Sequence, residues 1–131
     1  VEVTAATVYI AALTGQLSVV AALLDGGANV DEGLENGTTP LYIAVQRNHP
    51  DVAQLLIDRG ALVSKPANGG FTPVSCAVQN NLLHMTKLLI SNNAAINQAE
   101  NGGCTPLYLA SRSNRLEVAN LLISSNAALD Q

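Results

Sequence analysis

Thr39-Pro40-Leu41-Tyr42-Ile43-Ala44 is the stretch that decides how the rest of the chain is read. It returns as Thr72-Pro73-Val74-Ser75-Cys76-Ala77 and as Thr105-Pro106-Leu107-Tyr108-Leu109-Ala110, each start 33 residues after the last. Stepping back another 33 residues lands on Ala6-Thr7-Val8-Tyr9-Ile10-Ala11, a worn copy of the same phrase. A fixed period of about 20 to 50 residues marks a stacked array, whose units bury their apolar faces only against one another. Four units, approximately 1–33, 34–66, 67–99 and 100–131, fill the 131 residues as a single domain. None would hold a core alone, since chains under about 40 residues rarely do.

Each unit carries the same instructions. Thr39, Thr72 and Thr105 stand where a hydroxyl can accept from the free N–H groups of a helix start, and Pro40, Pro73 and Pro106 follow at the first helical position. Leu41, Ala44 and Val45 then form the i, i+3, i+4 stripe of one buried face. Ala11, Ala44, Ala77 and Ala110 are small enough to let neighbouring helices approach closely. Gly15, Asn48, Asn81 and Asn114 end the first helix, as residues that tolerate a left-handed cap. A second helix follows over 19–24, 52–57, 85–90 and 118–123, with Pro50 tolerated at its opening in the second unit. Ala28, Ala61, Ala94 and Ala127 come next, then Val30, Val63, Ile96 and Leu129. Asn36-Gly37, Asn68-Gly69-Gly70 and Asn101-Gly102-Gly103 supply positive φ and predict a hairpin-like finger at each junction.

This pattern resembles the ankyrin repeat. The Thr-Pro-Leu-x-x-Ala opening, the Leu-Leu-Ile second helix and the Gly-bearing finger agree with that family over essentially the whole chain. The resemblance implies an all-α repeat solenoid of stacked helix–turn–helix units with short β-hairpin fingers. Three departures stand out. Tyr9, Tyr42, Ser75 and Tyr108 hold the place where the family usually has His, and their hydroxyls are expected to bond a neighbouring finger's backbone. Leu34 and Ala67 replace the usual Asp at the finger, leaving Glu100 as the one acidic residue there. Gly between the helices survives only as Gly15. Weaker bonding between fingers, and moderate stability, are the expectation.

Composition sets the remaining limits. Apolar residues make up 48% and aromatics 3%, so the core is aliphatic. No apolar run reaches the roughly 18 residues that a membrane-spanning helix needs, and no charged-then-apolar leader opens the chain. The chain starts at Val1, not Met, and both ends keep apolar side chains (Val8, Ile10 and Leu13; Leu121–Ile123). Terminal units of a solenoid normally carry a polar outer face. These ends are therefore expected to belong to a longer array, or to give a monomer that self-associates weakly. Net charge is −4, concentrated in the first unit by Glu2, Asp25, Asp31 and Glu32. No basic stripe exists to follow a phosphate backbone, so nucleic acid is not the expected partner. Cys76 and Cys104 are 28 residues apart at non-equivalent positions and lack neighbouring His, which argues against both a disulfide and a zinc site. Free thiols fit a reducing, intracellular, cytoplasmic setting.

Nothing in the chain assembles chemistry. His49 and His84 lie in turns of different units without a carboxylate at ligand or triad spacing, and no zinc-protease, nucleophile-elbow or phosphate-loop motif occurs. Neither a catalytic site nor a cofactor site is expected. The resemblance instead implies a binding module that grips a protein on a concave groove. Carried over by position, the fingertips are Glu35, Asn36 and Thr38; Asn68, Gly69 and Phe71; Asn101, Gly102 and Cys104. The first helices contribute Leu13 and Thr14, Gln46 and Arg47, Gln79 and Asn80, Arg112 and Ser113. These positions differ from copy to copy while the framework repeats. Phe71, the only Phe, is either an exposed contact or a ring folded onto its own finger; Arg47 is either a contact or a solvated helix end. Two other readings stand beside the interaction module: a spacer inside a longer array, and an engineered binding scaffold.

Overall fold

A computed structural model describes residues 3–34 and 36–125, the first four of them by backbone alone. Within them the chain forms four helix pairs: α1 (Val3–Leu13) and α2 (Leu17–Asp25), α3 (Pro40–Gln46) and α4 (Pro50–Asp58), α5 (Pro73–Gln79) and α6 (Leu83–Ser91), α7 (Pro106–Arg112) and α8 (Leu116–Ser124). This is the all-helical repeat solenoid that the resemblance implied. Glu35, Ala127 and Leu129 lie outside the described residues.

The first helices begin where the Thr-Pro pairs place them. The hydroxyl oxygens of Thr39, Thr72 and Thr105 accept from the backbone N–H groups of Tyr42, Ser75 and Tyr108 at 3.1, 3.2 and 3.2 Å. All three threonines are buried, so each hydroxyl satisfies a donor that water cannot reach. The first unit has neither cap nor Pro at this place, and α1 accordingly runs eleven residues where α3, α5 and α7 run seven.

Both helices of a unit stop by the same closure. At the end of α3, Asn48 adopts φ 60°, its N–H donates to Val45 O, and the His49 N–H donates to Ala44 O. Gly15, Asn81 and Asn114 close α1, α5 and α7 in the same manner. The second helices repeat the motif at Gly27, Gly60 and Asn93, stops that sequence reading did not single out. These helices also begin two residues earlier and end one residue later than expected, so each second helix spans nine residues.

The fingers differ from the expected β-hairpins. No strand forms among the described residues. Each finger is a five-residue turn closed by two backbone bonds, such as Leu34 N–H to Thr38 O and Gly37 N–H to Leu34 O. Gly37, Gly70 and Gly103 hold φ of 84–89° at the equivalent corner, which is why that place is glycine in all three. With one closing pair per finger there is no ladder to extend. Between fingers, the Asn101 N–H donates to Gly69 O at 2.9 Å.

Stacking supplies the core. Neighbouring first helices pack closely in the order α1, α3, α5, α7, while the second helices touch one another sparsely. The second helices therefore lie on the outer arc of the array. Ala11, Ala44, Ala77 and Ala110 are buried in the close row, flanked by Leu41, Val45, Val74, Val78 and Leu109. Val52 and Leu56, Met85 and Leu89, and Val118 and Leu122 come up from the second helices. The expected aliphatic core is thus present.

The ends show what a neighbour covers. Ile43, Cys76 and Leu109 are buried, whereas their counterpart Ile10 is 53% exposed; Val52, Met85 and Val118 are buried, whereas Val19 is 41% exposed. At the other end Ser111 is exposed although Ala12, Val45 and Val78 are buried.

Thr72→Val keeps the shape of the cap residue but removes the acceptor for the Ser75 N–H and the partner of the Ser75 hydroxyl, 3.0 Å away. Its unfolding free energy in urea should fall by about 1–2 kcal/mol. An unchanged midpoint and slope would mean that the cap contributes nothing.

Candidate interaction surface

Helix termini line up because the helices do. The C-terminal residues of α1, α3, α5 and α7 occupy one position of the repeat, so packing of these helices sets them in a row along one edge. Thr14, Gln46, Arg47, Gln79, Asn80 and Arg112 are exposed there, and Leu13 and Ser113 are half-buried. The rest of α5, Pro73–Val78, is wholly buried, so in that unit only the helix end reaches solvent. Some of these groups are already engaged. The Thr14 hydroxyl donates to Ile10 O at 2.8 Å, and the Asn80 amide donates to Cys76 O at 2.9 Å. Leu13 packs against the core. The Arg112 guanidinium sits over the Tyr108 ring, 5.7 Å from its centre, within the range of a cation–π contact. Gln46, Gln79 and Arg47 project from the row, and Arg47 and Arg112 make it basic.

The fingertips form a second row at the other end of the first helices. Thr38 directly precedes the cap of α3, and a seven-residue helix separates it from Gln46, about 10 Å of rise. Asn36, Asn68 and Asn101 are exposed; Thr38, Phe71 and Cys104 are half-buried. The Asn36 side-chain oxygen accepts from both the N–H and the hydroxyl of Thr38, which stiffens the first tip. Glu100 accepts from the Cys104 N–H at 2.8 Å, so its carboxylate serves its own finger. The Phe71 ring lies against Gly69, where a Cβ would sit 3.3 Å from it, and it packs on the core. Of the two geometries considered for Phe71, the ring adopts the one folded onto its own finger.

Of the hydroxyls at Tyr9, Tyr42, Ser75 and Tyr108, those of Ser75 and Tyr42 turn elsewhere than to the neighbouring finger that was expected. Ser75 bonds its own cap, Thr72. Tyr42 is half-buried with its hydroxyl beside the Cys76 thiol of the next unit. Burial pushes the Tyr42 hydroxyl well above the ordinary tyrosine range, and Cys76 adds to the shift. Burial likewise pushes the Cys76 thiol up, while its contacts with Tyr42 and Asn80 pull the other way. Both cysteines are free. Among the described residues no group of His, Cys, Asp or Glu could hold a metal, and no helix is long and apolar enough to cross a membrane.

Sequence reading missed a set of rungs between units. The His49 ring reaches back to Leu13 O, 3.1 Å from Nε2, and Arg115 reaches back to Gln79 O at 3.4 Å. These are the same contact made one and three units along, and each satisfies a carbonyl that the end of a first helix leaves open. A Cβ on Gly15 would stand 2.7 Å from the His49 ring, so this glycine admits the ring as well as the φ of 72°. The Arg115 Nε is buried and makes no hydrogen bond. Asp31 and Ser64 form a second set: their side-chain oxygens accept from the N–H groups of Leu62 and Ala95 in the following unit. The 33-residue spacing held this signal, but it lies in residues that change from copy to copy.

The family model described as ankyrin repeats (3 copies) matches residues 4–67 and 61–131. The chain belongs to the ankyrin-repeat family. A search of curated proteins found no match. Ankyrin repeats are generally protein–protein interaction modules, and the resemblance read from Thr-Pro-Leu-x-x-Ala stands.

Two outcomes are expected of this ankyrin array. Gly15→Ala should cost about 1–3 kcal/mol of stability. Adding His49→Ala should recover the steric part alone, leaving the cost of positive φ, as a double-mutant cycle would report. In a thiol-labelling time course, Cys104 should react in the folded protein and Cys76 only after denaturation; equal rates would contradict the burial of Cys76.

Proposed function

We propose that this chain is a non-catalytic interaction module, four ankyrin repeats acting as one domain, that holds a protein partner along the first-helix ends and the fingertips. One contrast carries the reading. Framework positions repeat and are buried, while the first-helix ends are mostly exposed and vary, with Leu13, Gln46, Gln79 and Arg112 at one position and Thr14, Arg47, Asn80 and Ser113 at the next. A shared scaffold with a tailored edge has that distribution. Leu13, Asn80 and Ser113 belong to the edge as its supports, since their side chains or positions are already packed or bonded. Asn36, Asn68 and Asn101, with Thr38, Phe71 and Cys104 behind them, form the second line of contact, and Glu35, next to Asn36 in sequence, is counted with them. The basic residues Arg47 and Arg112 favour a partner that presents carboxylates. Two unpaired thiols suit a reducing, intracellular setting.

Exposed stacking faces favour a second reading, a spacer within a longer array. Ile10 and Val19 at one end and Ser111 at the other occupy places that a neighbouring unit covers elsewhere. The same faces would allow weak self-association.

Affinity capture from cell lysate separates the two readings. The native protein should retain a defined partner that a variant carrying Arg47→Ala and Gln79→Ala loses, with both proteins equally folded by circular dichroism. Identical captured sets, or none, would remove the edge as the binding surface and leave the spacer.

A further inference from the structure

The outer arc holds a groove at its first junction. It lies between α2 and α4, encloses about 540 Å³, and is floored by Leu17, Ala21 and Leu55. Ser18 stands on one wall, and Asp51, Gln54 and Asp58 on the other. Comparison of equivalent positions explains why it is open. Where the first unit has Ala21, the later units have Gln54, Lys87 and Asn120. At the next junction Gln54 crosses the gap: its amide oxygen accepts from the Asn92 side chain at 3.1 Å, and its nitrogen lies 3.5 Å from the Asn92 oxygen. That pair ties α4 to α6. Ala21 is too short to make the same tie, and Arg59, which stands where Asn92 does, turns instead to Asp25 at 2.7 Å.

Charge defines what fits. Asp51 and Asp58 are exposed on one face of α4, seven residues apart, which is two turns and about 10 Å. Asp58 accepts from Gln54 and Asp51 from the Val52 N–H, bonds that hold the carboxylates in place without neutralising them. Asp51 and Asp58 border the groove, Asp25 is paired with Arg59, and the first unit contains no Lys or Arg. An apolar floor between two helices, bordered by carboxylates at a helical spacing, is a template for an amphipathic helix.

We propose that the α2–α4 groove docks a basic amphipathic helix of a partner protein, apolar side chains on Leu17, Ala21 and Leu55 and Lys or Arg against Asp51 and Asp58. The site is on the second helices, whereas the edge of the proposed function is built from the first helices and fingers. It does not depend on that reading, and its charge is opposite.

The test uses the 131-residue protein and two fluorescent synthetic helices. One carries Leu on one face with Lys seven residues apart; the other has Glu in place of each Lys. Anisotropy titration should show binding of the Lys peptide, weakened by added salt, and none of the Glu peptide. Ala21→Gln installs the side chain found in the next unit and should weaken binding by about tenfold or more, as a filled groove would. Asp51→Asn with Asp58→Asn should weaken it by roughly tenfold and flatten the salt dependence. Arg47→Ala should leave it unchanged, which separates this site from the first-helix edge. Thermal melts verify that the variants fold. Failure of the Lys peptide to bind, equal binding of the Glu peptide, or binding indifferent to both groove variants would each overturn the proposal.

Discussion

No unit of this protein encloses a core of its own; the contact between neighbouring first helices makes the units one body. Ala11, Ala44, Ala77 and Ala110 sit fully or almost fully buried in that contact. A small side chain at this place lets two helix backbones approach, and Leu41, Val45, Val74 and Val78 pack around it. Everything else follows from keeping that approach in register. The helices are short, so each must start and stop at a set residue, or the next alanine misses its neighbour. A buried threonine cap fixes the start, and a left-handed residue fixes the stop.

The close row also decides where variation is tolerated. Within α3 and α5 nearly every residue before the last is buried, so change is confined to the ends. Those ends carry open carbonyls, which the structure satisfies partly from the next unit through His49 and Arg115. Leu82 holds the same position between them and has no group to donate. The rung is therefore made at two junctions and not at the one between, and stability along the array should be uneven for that reason. The buried, unbonded Nε of Arg115 is the cost of using a long cation where His49 makes the same reach with a compact ring.

Much of the fold was legible because it is written in residues with one physical meaning. Thr-Pro at three places identified three helix starts, and Gly15, Asn48, Asn81 and Asn114 identified the stops. Less was legible where one residue type serves several purposes. Asn-Gly and Gly-Gly signalled a turn correctly, but cannot say whether strands extend from it, and here one closing pair of bonds leaves no ladder. For Phe71 a contact facing a partner and a ring folded on its own finger both stayed open, because sequence does not reveal the bare backbone of Gly69 beneath its ring. The Tyr42 hydroxyl turned to Cys76, a residue of the next unit whose proximity only stacking creates. On the candidate edge, the residue positions were readable from the period, while the engagement of Thr14 and Asn80 with their own helices was not.

A scaffold this constrained gives its surface positions unequal weight. Substitution at a helix end alters one projecting side chain, as Gln79 and Arg112 show. Substitution at the position of Ala21 alters whether two units are bridged, because the second helices are too far apart to close the gap by themselves. Gln54 bridges to Asn92; Ala21 cannot, and the interval becomes a groove with an apolar floor. The acidic residues around it then face solvent across a floor that water wets poorly, which strengthens their pull on a cation lying against that floor. One small side chain on the outer arc thus converts a structural junction into a surface with its own electrostatic preference, opposite in sign to the edge formed by Arg47 and Arg112.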